Sequence, residues 1–226
     1  ILIGIGGSLM SGSDSALIYD TLLELKEENS YTKIEGRSYG IGNFSESIAG
    51  ILGGFLAVSS LYNPVYIQTI ILFLSIPISM TLIEPSINKN KDYSYNYLLS
   101  VIRSSMLDNK KLRWLIIYSS AMGVGTLSIA WFSQPFFKQI DIPLIYFGIL
   151  WAALNFSAGI TSFNSHYIKY KKVNKLLLII SIAMLISFIM LGANNSLLGL
   201  LFIFIIYIIR GIVTPILRNE ININTT

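Results

Sequence analysis

The chain of 226 residues has no cysteine, one histidine and few charged residues, which make up 12% of it. Without cysteine there is no disulfide and no thiolate metal ligand. The lone His166 has no second histidine or acidic group near it in sequence, so we predict neither a metal site nor a bound cofactor. Because ordinary soluble domains are about 25% charged, the shortage of charge also argues against a soluble domain.

Apolar residues take the place of the missing charges and make up 53% of the chain. They fall into seven blocks close to the roughly 20 residues that a helix needs to cross a bilayer. The blocks are Ile1 to Ile18, Tyr39 to Ser60, Val65 to Ile83, Leu112 to Phe137, Leu144 to Ile168, Leu176 to Gly192 and Leu197 to Leu217. The sequence therefore predicts a multi-pass protein of the cell membrane with the lipid bilayer as its first partner.

The blocks predict helices, because backbone that faces lipid must form its hydrogen bonds within the segment. Segments of about ten residues with alternating polarity, typical of a membrane barrel, are absent. The core helices of a soluble protein are the alternative, which seven blocks with so little charge disfavour. The predicted fold class is an all-α, polytopic helical membrane protein.

The distribution of lysine and arginine predicts the orientation of the helices. Of the 16 basic residues, 13 lie in three connections, residues 19–38, 84–113 and 169–175, while the connections between them carry none apart from Lys138 at one edge. Basic connections face the cytoplasm. The first block then runs from outside to inside, and the net charge of +4 needs no nucleic-acid partner.

The long basic connection divides the chain into two halves. Residues 1–83 hold three predicted spans, residues 84–112 form a central cytoplasmic loop, and residues 113–226 hold four spans. Apolar residues between Tyr97 and Met106 repeat at helical spacing, which favours a short surface helix with nearby basic residues available to lipid phosphates. A solvated linker is the alternative.

Three ionisable residues interrupt the apolar blocks: Asp14, Glu46 and Arg210. A charge near the centre of a bilayer costs about 3 kcal/mol or more, so such residues usually face a cavity or a partner. Asp14 can instead be a structural carboxylate, and Arg210 can extend its guanidinium to the cytoplasmic interface. Gln134 lies among aromatic residues near the outer face, which form either an interface anchor or a substrate pocket.

Small residues repeat every four positions in the second block. Ser45, Ala49 and Gly53 form one row, and Glu46, Gly50 and Gly54 form the next. Rows of this kind allow helix backbones to approach closely in lipid. We predict that Gly50, Gly53 and Gly54 are helix-packing residues.

Two stretches, "SGSDSALIYDTL" and "KIEGRSYGIGNFSESIAGILGGFLA", resemble the fourth and fifth transmembrane helices of the major facilitator superfamily, in particular bacterial exporter-like members. The similarity extends from Gly7 to Ala57, and Arg210, Gly211 and Pro215 resemble the end of the tenth helix. The resemblance implies a fragment covering transmembrane helices four to ten of a partial major-facilitator-type fold, with two helical bundles joined by the cytoplasmic loop. The proline and first glycine of the exporter motif are replaced here by Gly50 and Ser45.

The resemblance further implies a secondary active transporter, not an enzyme, that moves a small molecule by alternating access. Proton-coupled efflux is one mode it allows, while the direction and the coupling ion, a proton or another cation, stay open. It suggests Asp14 and Glu46 for coupling, with Arg210 and Gln134 as further substrate candidates. Tyr19, Asp20 and Arg37 are candidates for a cytoplasmic gate.

Two other classes are weaker alternatives. A seven-helix receptor or sensor fits the number of blocks, but the last block has no lysine for a retinal Schiff base. A membrane-embedded enzyme needs a cluster of catalytic side chains, and a single histidine with no acid near it does not provide one.

Overall fold

The computed structural model describes residues 12–60, 62–83, 103–168 and 173–225, together with Gly6, Pro85 and Leu99. Within these ranges the fold is all-α, as predicted, and no strand occurs. The α-helices are α1 Ser13–Glu24, α2 Tyr31–Ser59, α3 Asn63–Ser79, α4 Lys110–Gln139, α5 Phe147–Phe163, α6 Val173–Ala193 and α7 Leu197–Thr225. Short 3₁₀ segments precede α2 and flank α5.

Three of these helices are long and apolar enough to cross a membrane: α4, α6 and the part of α7 from Leu197 to Asn224. Two shorter apolar helices, α3 and α5, have 17 residues each. These dimensions indicate a membrane protein. Most of the first predicted block and half of the predicted surface helix lie outside the described residues.

Helix α2 begins at Tyr31, eight residues before the predicted start of its span at Tyr39. The prediction followed hydropathy, whereas the helix also includes the polar stretch from Tyr31 to Ser38. Glu35 and Gly36 in that stretch are buried because α2 packs here against other helices. The additional two turns carry most of the contacts described below.

Helix α7 is the centre of the second half. One apolar cluster joins it to α4 and α6 around Met122, Met184 and Val213. A second joins it to α4 and α5 around Phe137, Leu154 and Ile206. The apolar residues of α7 face neighbours on several sides because α7 packs against four helices, α2, α4, α5 and α6.

Apolar side chains also cover the outside of the bundle. Helix α3 has no buried residue, and Phe73 on it is 68% exposed. Trp131 on α4 is 74% exposed. An apolar exterior of this extent is what a helix presents to lipid or to other helices.

Candidate functional site

The most extensive packing joins α2, which precedes the predicted central loop in sequence, to α5, which follows it. Glycines bring the two backbones together: a Cβ atom built on Gly36 would lie 2.5 Å from the carbonyl oxygen of Ser162, and one on Gly40 would lie 3.0 Å from that of Gly159. One on Gly50 would lie 3.1 Å from the Trp151 ring. We call this contact the glycine seam.

The seam runs antiparallel, because residues that ascend α2 meet residues that descend α5. Antiparallel packing agrees with the predicted opposite directions of these two spans. Ser162 closes the seam at the start of α2, where its hydroxyl donates a hydrogen bond of 2.9 Å to the carbonyl of Gly36. Beside it, the Arg37 guanidinium lies 5.2 Å from the centre of the Phe163 ring.

A cluster of charged side chains lies where α1, α2 and α7 meet. The Nη1 atom of Arg218 on α7 forms an ion pair with Oε1 of Glu35 on α2, and it lies 4.0 Å from Oδ2 of Asp14 on α1. Glu35 is 1% exposed, whereas Asp14 is exposed. We call these three residues the Arg218 cluster. It joins both predicted halves through charge, and Glu35 depends on Arg218 for its counter-ion.

Aromatic residues and a serine hold α1 against the first turn of α2 beside that cluster. Tyr31 is fully buried, and its hydroxyl lies 2.5 Å from the Ser15 hydroxyl. The ring of Tyr19 meets the Tyr31 ring edge-on, with 5.3 Å between the ring centres. Together with Leu22, these side chains form a small core that fixes where α1 presents Asp14.

A second polar cluster lies two turns earlier along α7. The Nε atom of Arg210 donates a hydrogen bond of 2.8 Å to the hydroxyl of Tyr39 on α2. Its guanidinium carbon lies 5.7 Å from the centre of the Tyr207 ring, and Glu46 lies within electrostatic range. We call these four residues the Arg210 cluster. The guanidinium of Arg210 lies among tyrosine side chains of α2 and α7.

The buried Tyr207 connects this cluster to α5. Its ring meets Trp151 edge-on, with ring centres 6.3 Å apart. Its hydroxyl is fully buried and has no hydrogen-bond partner among the described residues, and the same holds for Oδ1 of the buried Asn43 on α2. Buried polar atoms normally have partners, so these atoms mark a place where the packing leaves polar groups unsatisfied.

The residues predicted from sequence separate into these two clusters. Asp14 lies in the Arg218 cluster, and Glu46 and Arg210 lie in the other. Tyr19 packs on Tyr31 beside the Arg218 cluster, whereas Arg37 lies at the Phe163 ring of the seam. Asp20 is half-buried on α1 one residue after Tyr19. Gln134 is exposed near the end of α4, and in the part of the chain described it joins neither cluster.

The predicted packing glycines differ in their surroundings. Gly50 lies in the seam, whereas no described atom comes within 4 Å of a Cβ built on Gly53 or Gly54, so their packing role stays a prediction. The glycines that make the closest approaches on α2, Gly36 and Gly40, were missed. Their four-residue spacing was a visible signal, but it lay partly in a polar stretch assigned to the cytoplasmic connection.

Glu35, Tyr39 and Arg218 were also missed as site residues. Glu35 and Arg218 lie 183 positions apart in sequence, and Tyr39 and Arg210 lie 171 apart. Nothing in the local sequence around either member predicts such a partner. The charge of Glu35 and Arg218 was the one general signal, because a carboxylate or guanidinium at the edge of an apolar block needs a partner of opposite charge or contact with water.

A cavity of about 460 Å³ lies apart from both clusters, between the first turns of α4 and α6. Trp114, Tyr118 and Leu178 line it together with Lys111. Among the residues that the structure describes, no three acidic or histidine side chains are grouped as metal ligands would be.

No family model matches the chain, and neither the curated proteins nor the solved structures include a significant match to it.

Proposed function

We propose that this chain is part of a secondary active transporter of the cell membrane with a major-facilitator-type fold, which moves a small molecule by alternating access. One observation carries the proposal: α2, from before the central loop, packs against α5 and α7, from after it, and ionisable groups lie in that interface. In alternating access, one helical bundle rocks against another around a fixed site.

The Arg218 cluster supports a gate at one end of this interface. An ion pair between two halves holds them together when it is formed and separates when they tilt apart. Because Glu35 is buried, separation must bring water to its carboxylate, which otherwise loses its compensation. The Arg218 cluster is the closed gate in this proposal, and Tyr19 and Arg37 support its surroundings.

The Arg210 cluster supports the substrate or coupling site. It lies between the same two helices and two turns of α7 further from the gate, about 12 Å of helix rise. Glu46 is the carboxylate of this cluster, and Asp14 is an exposed carboxylate at the gate. The proposal assigns coupling to these two carboxylates.

Distance measurements between spin labels test alternating access without knowledge of the substrate. The chain has no cysteine, so labels can be placed singly or in pairs on an otherwise native sequence. One pair, Lys33→Cys with Tyr167→Cys, spans the two halves at the gate end. Another, Tyr62→Cys with Ile145→Cys, spans them at the opposite end. All four positions are exposed.

We expect two populations of distances for each pair in lipid nanodiscs, shifting in opposite directions between acid and neutral pH. The control pair Lys111→Cys with Lys175→Cys joins the first turns of α4 and α6, which belong to the same bundle in this proposal, and should keep one distance. If coupling depends on the carboxylates, Glu46→Gln or Asp14→Asn removes the pH response. Single, fixed distances for both test pairs, or changes of the same sign, would contradict alternating access and favour a receptor.

A further inference from the structure

Arg210 differs from Arg218, although both belong to α7 and both contact α2. Arg218 makes ion pairs of 4.0 Å or less with Glu35 and Asp14. Arg210 has a neutral tyrosine hydroxyl and a tyrosine ring as its neighbours. Glu46 affects it electrostatically but forms no ion pair with it at that distance.

Arg210 therefore has no carboxylate within ion-pair distance among the described residues, although it lies inside a helix that is apolar enough to span a membrane. Such a charge costs about 3 kcal/mol or more near the bilayer centre, and charges retained there usually serve a ligand or an ion pathway. Arg210 lies seven residues from Leu217, about 10 Å of helix rise. One of its five N–H groups is used by Tyr39, and its side chain is half-buried, so it is not sealed from a ligand.

We propose that Arg210 binds the carboxylate of a small monoanionic substrate. This inference rests on the proposed transport function and names the substrate class of that site. The planar fork of a guanidinium matches a carboxylate with two parallel hydrogen bonds. A single negative charge balances a single Arg210, whereas a dianionic phosphate would leave one charge unbalanced in the membrane-spanning region.

The surrounding residues fit a carboxylate that belongs to a small organic molecule. Tyr39 holds the guanidinium by its Nε atom, and no hydrogen bond or ion pair among the described residues uses the two terminal nitrogens that a carboxylate would bind. Tyr207 and Trp151 supply aromatic surface beside it. Tyr207 also contributes a buried hydroxyl that lacks a partner among the described residues.

Glu46 opposes the ligand in this arrangement. Its carboxylate is exposed on α2 and lies within electrostatic range of both Arg210 and Tyr207. A negative ligand at Arg210 is repelled by an ionised Glu46. Removing that charge should therefore strengthen binding, which is the opposite of what removing Arg210 should do.

Fluorescence of Trp151 tests the proposal. The other two tryptophans, Trp114 and Trp131, are exposed and are replaced by phenylalanine, so Trp151 becomes the single reporter next to Tyr207. The purified protein is titrated with benzoate, with neutral benzyl alcohol and with cationic benzylamine, which share one ring. We expect a saturable change with benzoate alone.

Arg210→Gln should weaken benzoate binding by at least about tenfold, since losing a charge-assisted hydrogen bond removes roughly 1.5–3 kcal/mol. Arg210→Lys should fall between Gln and the unchanged protein, because it keeps the charge and loses the fork. Glu46→Gln should tighten binding several-fold. The control Lys138→Gln removes an exposed cation at the end of α4 and should change nothing.

Equal responses to the three compounds, preference for benzylamine or no response to benzoate would each overturn the proposal. If Arg210→Gln does not fold, as judged by circular dichroism and gel filtration, weaker binding in Glu46→Gln would overturn it instead. The spin-label distances test alternating access independently of anion binding. Anion-selective binding with fixed distances would retain the site and refute transport, whereas moving distances without anion binding would do the reverse.

Discussion

Arg218 on α7 is the counter-ion of Glu35 on α2, and this pair joins two helices that lie before and after the predicted central loop in sequence. Glu35 is 1% exposed, while 36% of the Arg218 side chain is exposed. The burial is therefore asymmetric. The carboxylate loses more than the guanidinium when the pair is broken.

This asymmetry predicts the result of a double-mutant cycle. Arg218→Gln alone leaves a buried, unpaired charge and should destabilise the protein by about 3 kcal/mol, the lower end for a buried pair because Arg218 is partly exposed. The same change in a Glu35→Gln background should cost much less. Thermal unfolding in detergent, with ligand-free protein, measures both. Equal losses in the two backgrounds would show that the residues do not act as a pair.

The glycine seam predicts a strong difference between two glycines of the same helix. Gly36→Ala places a methyl group 2.5 Å from the Ser162 backbone oxygen, which cannot rotate away, and overpacking of this kind costs about 1–3 kcal/mol. Gly53→Ala meets no described atom within 4 Å and should be neutral or stabilising by up to about 1 kcal/mol through helix propensity. The unfolding temperatures of the two variants test whether the backbones are in contact at Gly36. Similar values would argue against close approach at Gly36.

The start of α4 predicts an effect of helix capping. The side-chain oxygen of Asn109 accepts a hydrogen bond of 3.0 Å from the backbone N–H of Leu112. Asn109→Ala should cost about 1 kcal/mol. Ser30 occupies the corresponding position of α2 but makes no such bond, so Ser30→Ala serves as the matched control and should cost little. The prediction fails if the two substitutions lower the unfolding temperature equally.

The orientation of the spans predicts which positions a reagent can reach. Lys33 and Lys175 lie in the basic connections that are predicted to face the cytoplasm. Lys138 lies at the opposite end of α4 from Lys110, so it is predicted to face outside. All three side chains are exposed. Single cysteines at these positions are treated in intact cells with a maleimide that does not cross membranes. Lys138→Cys should react, and Lys33→Cys and Lys175→Cys should react after lysis only. Any other grouping would refute the predicted topology.

Hydropathy predicted the ends of α3 to α6 to within five residues, whereas α7 continues to Thr225, eight residues past the predicted end at Leu217. The predicted end of the second span at Ser60 lies one residue past the last residue of α2. The predicted start at Tyr39 was eight residues late, because hydropathy does not distinguish polar residues that another helix buries from polar residues in a connection. The predicted division into halves stays a prediction.

The candidate site was predicted less completely, for a physical reason. Asp14, Glu46 and Arg210 were recognised because a charge in an apolar block is costly wherever it lies. Glu35 and Tyr39 sit in an ordinary polar stretch, and their importance comes from α7, which lies more than 150 residues further along the chain. Such pairings depend on helix packing that no local pattern encodes.

The glycine seam also limits how α2 and α5 can move. Where Gly36 and Gly40 meet the carbonyls of Ser162 and Gly159, backbone touches backbone, and no long side chains stand between them to change rotamer. Sliding one helix along the other would push each carbonyl into the next Cβ atom. Tilting about the line of contact requires no such collision. In the proposed transport cycle, the seam would therefore act as the axis about which α2 and α5 tilt while they stay in contact.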